Sequence, residues 1–185
     1  MTSHPTLPLT PPHGWTLDNL PSDLPKHTEL IRGSLVMSPQ TVWHTAVVRS
    51  LETLVLSQRP EGFEVQRRMA VKKSDRTAPE PDLAIVAASA LDWDKSIYLP
   101  EEVFLVAEVI SPESEERDRE DKPIIYAGMG IPMFWLVERA GNDAPMVHEH
   151  RLIGGGYRLL RTHVGRLKTE VPFPIDIPLV DPTLR

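Results

Sequence analysis

Two short apolar segments of this chain, residues 81–86 and 103–111, each carry one carboxylate, Asp82 and Glu108. Both are continuous apolar runs, which is typical of central β-strands that are covered on both faces. A lone charge in such a strand is costly unless a metal ion, a cation or a proton satisfies it. Two such carboxylates on neighbouring strands therefore predict a metal site, to which the backbone carbonyl of Val109 could add a ligand.

The composition limits which metal could bind. The chain has 185 residues, of which 41% are hydrophobic, so it is long enough for one domain with a substantial core. It has no cysteine, which excludes disulfides and zinc–thiolate sites. Carboxylate, carbonyl, imidazole and water ligands are left, and they favour Mg²⁺ or Mn²⁺.

The N-terminal region and the charge bear on location and partners. No apolar run approaches the ~20 residues that span a bilayer, and the N-terminus lacks a signal-peptide pattern, so we expect a cytoplasmic protein with no membrane partner. The net charge of −6 argues mildly against a protein that coats nucleic acid, but it is compatible with a nuclease. Residues 1–14 are proline-rich and predict a flexible arm, followed by a single domain over residues 15–185.

The pattern of apolar residues predicts a mixed sheet flanked by helices, the α/β class. Apolar positions at three- and four-residue steps predict a helix over residues 41–58. Residues 63–72 alternate in polarity and predict one strand. The other predicted elements are a short helix in 15–20, a hairpin over 29–37, strands at 83–87, 103–110, 133–138, 146–152 and 157–161, a helix ending near 130, and an irregular surface tail over 172–182.

An ordered set of motifs links the chain to a known family. The motifs are Pro81-Asp82, Glu108-Val109-Ile110-Ser111-Pro112, Arg117-Asp118-Arg119 with Lys122, Tyr126-Ala127, Gly130-Ile131-Pro132 and Phe134-Trp135-Leu136-Val137. Over roughly residues 29–138 the chain resembles the Uma-two family of restriction-endonuclease-like proteins, which is similar to the PD-(D/E)XK nuclease superfamily. The resemblance implies a restriction-endonuclease-like fold and metal-dependent hydrolysis of DNA phosphodiester bonds by a metal-activated water.

The resemblance also implies roles for individual residues. Asp82 and Glu108 correspond to the metal ligands, whereas Ile110 stands where the superfamily carries its lysine. Lys122 is the proposed replacement, placed to orient water and to stabilise developing phosphate charge. Glu29 and His44 correspond to further site residues, as additional metal contacts or as supports of the ligands.

Pro123 complicates the role of Lys122. A proline inside a helix clashes with the preceding turn, so the helix either begins near Asp121 or is kinked. A shared face for Asp118 and Lys122 therefore cannot be assumed from their spacing.

Each site residue also has a structural interpretation. Asp82 could cap a turn, Glu108 could pair with an arginine, and Lys122 could be a solvated lysine beside the acids of residues 113–121. Glu29 could be a surface charge and His44 a core histidine. The corresponding alternative function is a catalytically inactive nuclease-fold module that binds protein or nucleic acid. A hydrolase of another phosphate ester is a third possibility.

A basic cluster precedes the Asp82 strand and consists of Arg67, Arg68, Lys72, Lys73 and Arg76. It predicts contacts with DNA phosphates. The alternative is that these charges prevent aggregation at an exposed strand edge. His148 and His150 share a strand face, but nothing nearby in sequence completes a metal site. The glycines at 154–156 predict a turn. A homodimer would suit an enzyme that cuts both DNA strands.

Overall fold

A six-stranded mixed β-sheet forms the centre of the computed structural model, which describes residues 10–25 and 27–182. The helices are α1 (Val42–Leu56) and α2 (Lys122–Ala127). The strands are β1 (Thr28–Ile31), β2 (Ser34–Met37), β3 (Phe63–Gln66), β4 (Ala70–Val71), β5 (Leu83–Ala87), β6 (Ile97–Tyr98), β7 (Val103–Val109), β8 (Met133–Arg139), β9 (Pro145–Ile153), β10 (Gly156–Val164), β11 (Arg166–Thr169) and β12 (Ile175–Pro178).

The central sheet has the spatial order β10-β9-β8-β7-β5-β3. Strands β7 and β8 are parallel, and every other neighbouring pair is antiparallel. The predicted mixed α/β class is therefore confirmed. Strands β5 and β7 are neighbours, with Leu83 opposite Ala107. Continuing this register by one residue places Asp82 opposite Glu108.

Helix α1 covers one face of the sheet. The Thr41 side chain accepts a hydrogen bond from the backbone N–H of His44 at 3.2 Å, which caps the helix at its start. The apolar face predicted from the period is buried and packs on the sheet: Trp43, Val47, Val48, Leu51 and Val55. The predicted helix over residues 41–58 is confirmed; the observed helix begins one residue later and ends two residues earlier.

Helix α2 lies against the opposite face, where Tyr126 packs with Val106 and Phe134. A π-helical turn, Arg117–Asp121, leads into it, and the backbone N–H of Lys122 donates to the Arg117 carbonyl. This wider turn relieves the i to i−4 ladder that Pro123 would disrupt, so the chain stays helical through the proline. Asp118 and Lys122 consequently do share a face.

Two predicted segments differ from the structure. Residues 63–72 form two strands, because Arg68 adopts φ 51° and ends the pairing with β5, after which β4 pairs with β6. Residues 172–182 are not an irregular surface tail. They contain β12, which pairs with β11 and buries Ile175 and Ile177 in the core under α1. Both outcomes depend on distant partners, which local polarity does not encode.

The hairpin of β1 and β2 turns at Arg32 and Gly33, both with positive φ, as the Arg-Gly signal predicts. Residues 1–9, most of the predicted arm, lie outside the described residues. Just beyond them, the Trp15 N–H donates to the Gly33 carbonyl at 2.7 Å. No helix in the described ranges is long and apolar enough to cross a membrane.

Candidate functional site

Asp82 and Glu108 lie side by side at one end of the central sheet, and both are buried. Asp82 immediately precedes β5, where Pro81 leads the chain into the strand. Glu108 is the penultimate residue of β7 and points toward α2, since its neighbours Ala107 and Val109 belong to the core on the α1 side. The sheet therefore brings together the two carboxylates that the sequence singled out.

The Asp82 carboxylate is held by two hydrogen bonds. Its Oδ2 atom lies 2.9 Å from His44 Nε2 and accepts a bond from the Val109 N–H, also at 2.9 Å. His44 is 1% exposed on the first turn of α1, so it is buried as a core histidine and still contacts the site. Val109 contacts Asp82 through its N–H, whereas the predicted role of its carbonyl stays a prediction.

Lys122 joins three carboxylates. Its Nζ atom donates to Glu108 Oε2 at 3.0 Å and to Glu29 Oε1 at 2.9 Å, and lies 3.3 Å from Asp118 Oδ1. Only 7% of the Lys122 side chain is exposed, which excludes a solvated lysine. Glu29 reaches this point from β1, with 14% of its side chain exposed, so it is not a free surface charge.

Tyr126 completes the surroundings of Glu108. Its hydroxyl donates to Glu108 Oε1 at 2.5 Å, so both oxygens of the buried carboxylate accept a hydrogen bond. The tyrosine lies one turn after Lys122 on α2, and this spacing directs both side chains to the same carboxylate.

The acidic side chains of the cluster outnumber its one ammonium, that of Lys122, and burial opposes their ionisation. Burial raises the pKa of Glu108 well above its usual value, and the pKa values of Glu29 and Asp118 also rise for this reason, although Lys122 opposes each shift. For Lys122, burial lowers the pKa, but the charges of Glu108, Glu29 and Asp118 outweigh it and hold the pKa well above the usual lysine value. The ammonium therefore stays protonated.

A small cavity of about 20 Å³ opens beside Asp82 and is also lined by Glu29, Glu80 and Arg68. The space is enough for about one water-sized group. Burial and the neighbouring charge of Glu29 raise the pKa of Glu80 to about 7. Glu108 does not line this cavity, since it lies deeper against α2.

The donor chemistry of the cluster fits a hard divalent cation. Besides the three carboxylates that Lys122 contacts, those of Glu29, Glu108 and Asp118, two more interact with its charge at longer range, those of Asp82 and Glu80. All are oxygen donors of the kind that Mg²⁺ and Mn²⁺ prefer. Within residues 10–25 and 27–182, no group of three or more histidine and acidic side chains is arranged to hold a metal ion. The Glu108 oxygens instead face Lys122 and Tyr126.

The predicted basic cluster is partly neutralised within the protein. Arg67 pairs with Glu52 at 2.8 Å, Lys72 pairs with Asp75 at 2.7 Å, and the Arg76 side chain donates to the His13 carbonyl. Arg68 alone of these arginines lines the cavity beside Asp82. The two strand histidines lie elsewhere, with His148 Nε2 2.7 Å from Glu138 Oε1.

Three residues of the cluster are not among the site residues predicted from the sequence: Asp118, Tyr126 and Glu80. The i, i+4 spacing of Asp118 and Lys122 was visible, but the π-helical turn that supports it was not. Tyr126 could have been found by the same one-turn spacing from Lys122. Glu80 lies two residues before Asp82 in the sequence Pro79-Glu80-Pro81-Asp82, and no periodicity distinguished it from a loop charge.

Comparisons with known proteins agree with this architecture. The family model described as "Uma2: Putative restriction endonuclease" matches residues 16–178. The structure is similar to that of a putative nuclease belonging to DUF820 from Anabaena variabilis ATCC 29413, with a TM-score of 0.63 and 17% sequence identity over 85% of this chain and 89% of that one. At this identity the likeness concerns the fold. No curated protein matches the chain in sequence.

Proposed function

Because the chain belongs to the Uma2 family of putative restriction endonucleases, we propose that it is a metal-dependent DNA endonuclease that hydrolyses phosphodiester bonds. One observation carries the proposal: the Lys122 ammonium donates to Glu108 at 3.0 Å, and Asp82 lies next to Glu108 at the start of the neighbouring strand β5. An acid pair that could hold a divalent ion, with a cation beside it, can stabilise the charge that develops in phosphodiester hydrolysis. Here the lysine comes from a helix, 14 positions after Glu108.

Asp82 and Glu108, with the Val109 carbonyl, would hold Mg²⁺ or Mn²⁺. Glu29 and Glu80 line the cavity beside Asp82, which Glu108 does not line, so they would add oxygen donors on the Asp82 side of the ion. A divalent ion supplies Lewis acidity toward a phosphoryl oxygen and lowers the pKa of water toward neutrality.

Lys122 acts as a donor and a positive charge, not as a base. The carboxylates around it keep its pKa well above the usual lysine value, so it holds its proton at neutral pH. A protonated ammonium can orient a water molecule and stabilise charge that develops on a phosphate oxygen.

Tyr126 and His44 position the two principal carboxylates. The Tyr126 hydroxyl fixes Glu108 Oε1, and because burial and the Glu108 charge raise the pKa of Tyr126 well above normal, that hydroxyl remains a donor. His44 and the Val109 N–H together fix Asp82 Oδ2. Rigid carboxylates lose less conformational freedom when they bind an ion or a substrate.

DNA is the substrate class that the family suggests. From the predicted phosphate contacts, Arg68 is the best placed, since it lines the same cavity as Asp82. The other predicted contacts would bind DNA farther from the reacting atoms; they are Arg67, Lys72 and Lys73. Arg67 and Lys72 would exchange their ion pairs with Glu52 and Asp75 for DNA phosphates.

The test combines metal titration with a cleavage assay. Mn²⁺ is titrated calorimetrically into the wild type, Asp82→Asn and Glu108→Gln, and the same proteins are incubated with supercoiled plasmid and Mg²⁺. The matched controls are Asp94→Asn and Glu113→Gln, which make the same changes at exposed residues. We expect the site variants to lose metal binding and cleavage while circular dichroism stays that of the wild type. Normal cleavage by both site variants would exclude the assignment.

One feature favours a second candidate, the catalytically inactive module. Both Glu108 oxygens are already bonded, to Lys122 and to Tyr126, so the cluster could serve as a closed structural network. Wild-type protein that binds no Mn²⁺, even with an oligonucleotide present, would support this candidate and contradict the endonuclease.

A further inference from the structure

Three exposed arginines project from one side of the hairpin formed by β9 and β10. They are Arg151 on β9 and Arg158 and Arg161 on β10, and we refer to them as the arginine face. They belong neither to the basic cluster before β5 nor to the carboxylate site.

A β-bulge creates this face. Residues 158 and 161 are three apart, so in a regular strand their side chains would point to opposite sides. The register with β9 shifts between Leu159 and Arg161, which places Arg158 opposite Arg151 and Arg161 opposite Glu149. Since residues 149 and 151 share a side of β9, the bulge turns all three arginines to one side.

The arrangement is unfavourable for the isolated protein. Arg151 and Arg158 are directly opposite each other, and like charges in this position destabilise a strand pair. Within the described residues none of the three arginines forms an ion pair, whereas nearby Arg166 pairs with Asp176. Residues 150–168 contain five arginine or lysine residues and no acidic residue, although the net charge of the chain is −6.

We propose that the arginine face binds the phosphate backbone of duplex DNA, an inference that rests on the proposed function for its choice of polyanion. Guanidinium groups bind phosphate oxygens through paired hydrogen bonds. A phosphate row would supply partners to these arginines, because Glu149, opposite Arg161, is already bonded to His163 and Thr169. Arg158 and Arg161 lie opposite residues 151 and 149 of β9, which are about 7 Å apart along that strand. This spacing lets the two arginines contact different phosphates.

The face lies apart from the reacting groups. Strand β10 is three strand spacings from β7, about 15 Å, and the arginines project from the α1 side of the sheet while Glu108 projects toward α2. The arginine face therefore contributes affinity and orientation, not chemistry. A phosphate contact of this kind positions the duplex without reading its sequence.

An anionic membrane is the less favoured partner. Leu159 is 54% exposed, but it pairs opposite His150 and so projects from the other side of the hairpin. On the arginine side of the hairpin the exposed large apolar side chains are Ile153, two residues after Arg151, and Leu160 in the bulge, so positive charge predominates there and favours a phosphate backbone.

The test measures binding of a fluorescent mixed-sequence DNA duplex by anisotropy over a range of salt concentrations, with EDTA present so that no cleavage occurs. Arg158→Gln/Arg161→Gln is compared with Arg49→Gln/Arg59→Gln, which removes two basic charges outside the face. We expect the first variant to bind about tenfold or more weakly and to lower the salt slope by about 2, at an unchanged melting temperature. The control should bind as the wild type does.

The outcomes separate this inference from the proposed function. If the wild type binds DNA and the arginine variant matches the control, the inference fails whether or not the protein cleaves. If the arginine variant loses binding but no cleavage occurs with Mg²⁺, the proposed function fails and the inference stands. A wild type that does not bind DNA, or a face that binds only anionic phospholipid vesicles, would overturn the inference.

Discussion

The ammonium of Lys122 lies 3.0 Å from the carboxylate of Glu108, although Lys122 is in a helix and Glu108 in the central sheet. The contact depends on the π-helical turn before α2, which keeps the chain helical through Pro123. It also explains how a chain with Ile110 two positions after Glu108 still has a cation beside that acid.

Replacing Lys122 with methionine should strongly destabilise the fold. The change leaves Glu108, Glu29 and Asp118 buried without their common cation, and breaking such a network by removing one partner typically costs about 3–5 kcal/mol. Urea unfolding at neutral pH measures the loss. Lys168→Met, at an exposed position, should cost far less, and equal losses in the two variants would contradict the structural role of Lys122.

Replacing Tyr126 with phenylalanine should cost more stability than the same change at Tyr157. The Tyr126 hydroxyl donates to the Glu108 carboxylate, whereas the Tyr157 hydroxyl donates to the neutral carbonyl of Ile131 at 2.8 Å. We expect losses of about 1.5–3 kcal/mol for Tyr126 and about 0.5–1.5 kcal/mol for Tyr157. Denaturant unfolding of both variants measures these values, and a larger loss at Tyr157 would show that Glu108 does not depend on the hydroxyl.

Replacing His44 with asparagine should weaken metal binding without abolishing it. His44 contacts Asp82 Oδ2 at 2.9 Å and orients a proposed metal ligand, and loss of such a supporting contact typically reduces metal affinity about 10- to 100-fold. Mn²⁺ calorimetry gives the affinity. His148→Asn, whose histidine pairs with Glu138, provides the control. Unchanged affinity in His44→Asn would mean that Asp82 keeps its orientation through Val109 alone.

Replacing Glu138 with glutamine should reduce stability in a pH-dependent way. Burial opposes the shift, but hydrogen bonds from His148 and Arg119 lower the pKa of Glu138 below its usual value. A lowered pKa in the folded state means that the carboxylate contributes stability above its unfolded pKa and loses it as the pH falls through the folded value. We expect a cost of up to about 1 kcal/mol at neutral pH that disappears well below the ordinary glutamate pKa of about 4.3.

Chemical denaturation of Glu138→Gln and wild type across this pH range measures the effect. The exposed Glu101→Gln provides the control, for which we expect no such trend. A deficit that is constant over the whole range would mean that the ionised form of Glu138 is not what stabilises the fold.

Local sequence patterns predicted those helices and strands in which the buried residues recur with the period of the element. The helix around Val47 and Leu51 and the strands with Ile85 and Leu105 were visible because their apolar periods match their burial. The break at Arg68 and the burial of Ile175 and Ile177 were not, because each depends on which distant strand supplies the pairing partner. The bulge beside Leu160 is a similar case, since alternation alone assigns Arg158 and Arg161 to opposite sides.

Local sequence was enough to place Glu108 within a buried strand and Asp82 at the start of another, because two apolar runs with one carboxylate each have few other stable arrangements. The groups that contact these two carboxylates are visible only in the folded chain. Lys122, Tyr126 and Glu29 reach Glu108 or its lysine from α2 and β1, and His44 reaches Asp82 from α1. These contacts depend on the order of strands in the sheet and on how the helices pack against its two faces, which are properties of the whole chain and not of any single segment.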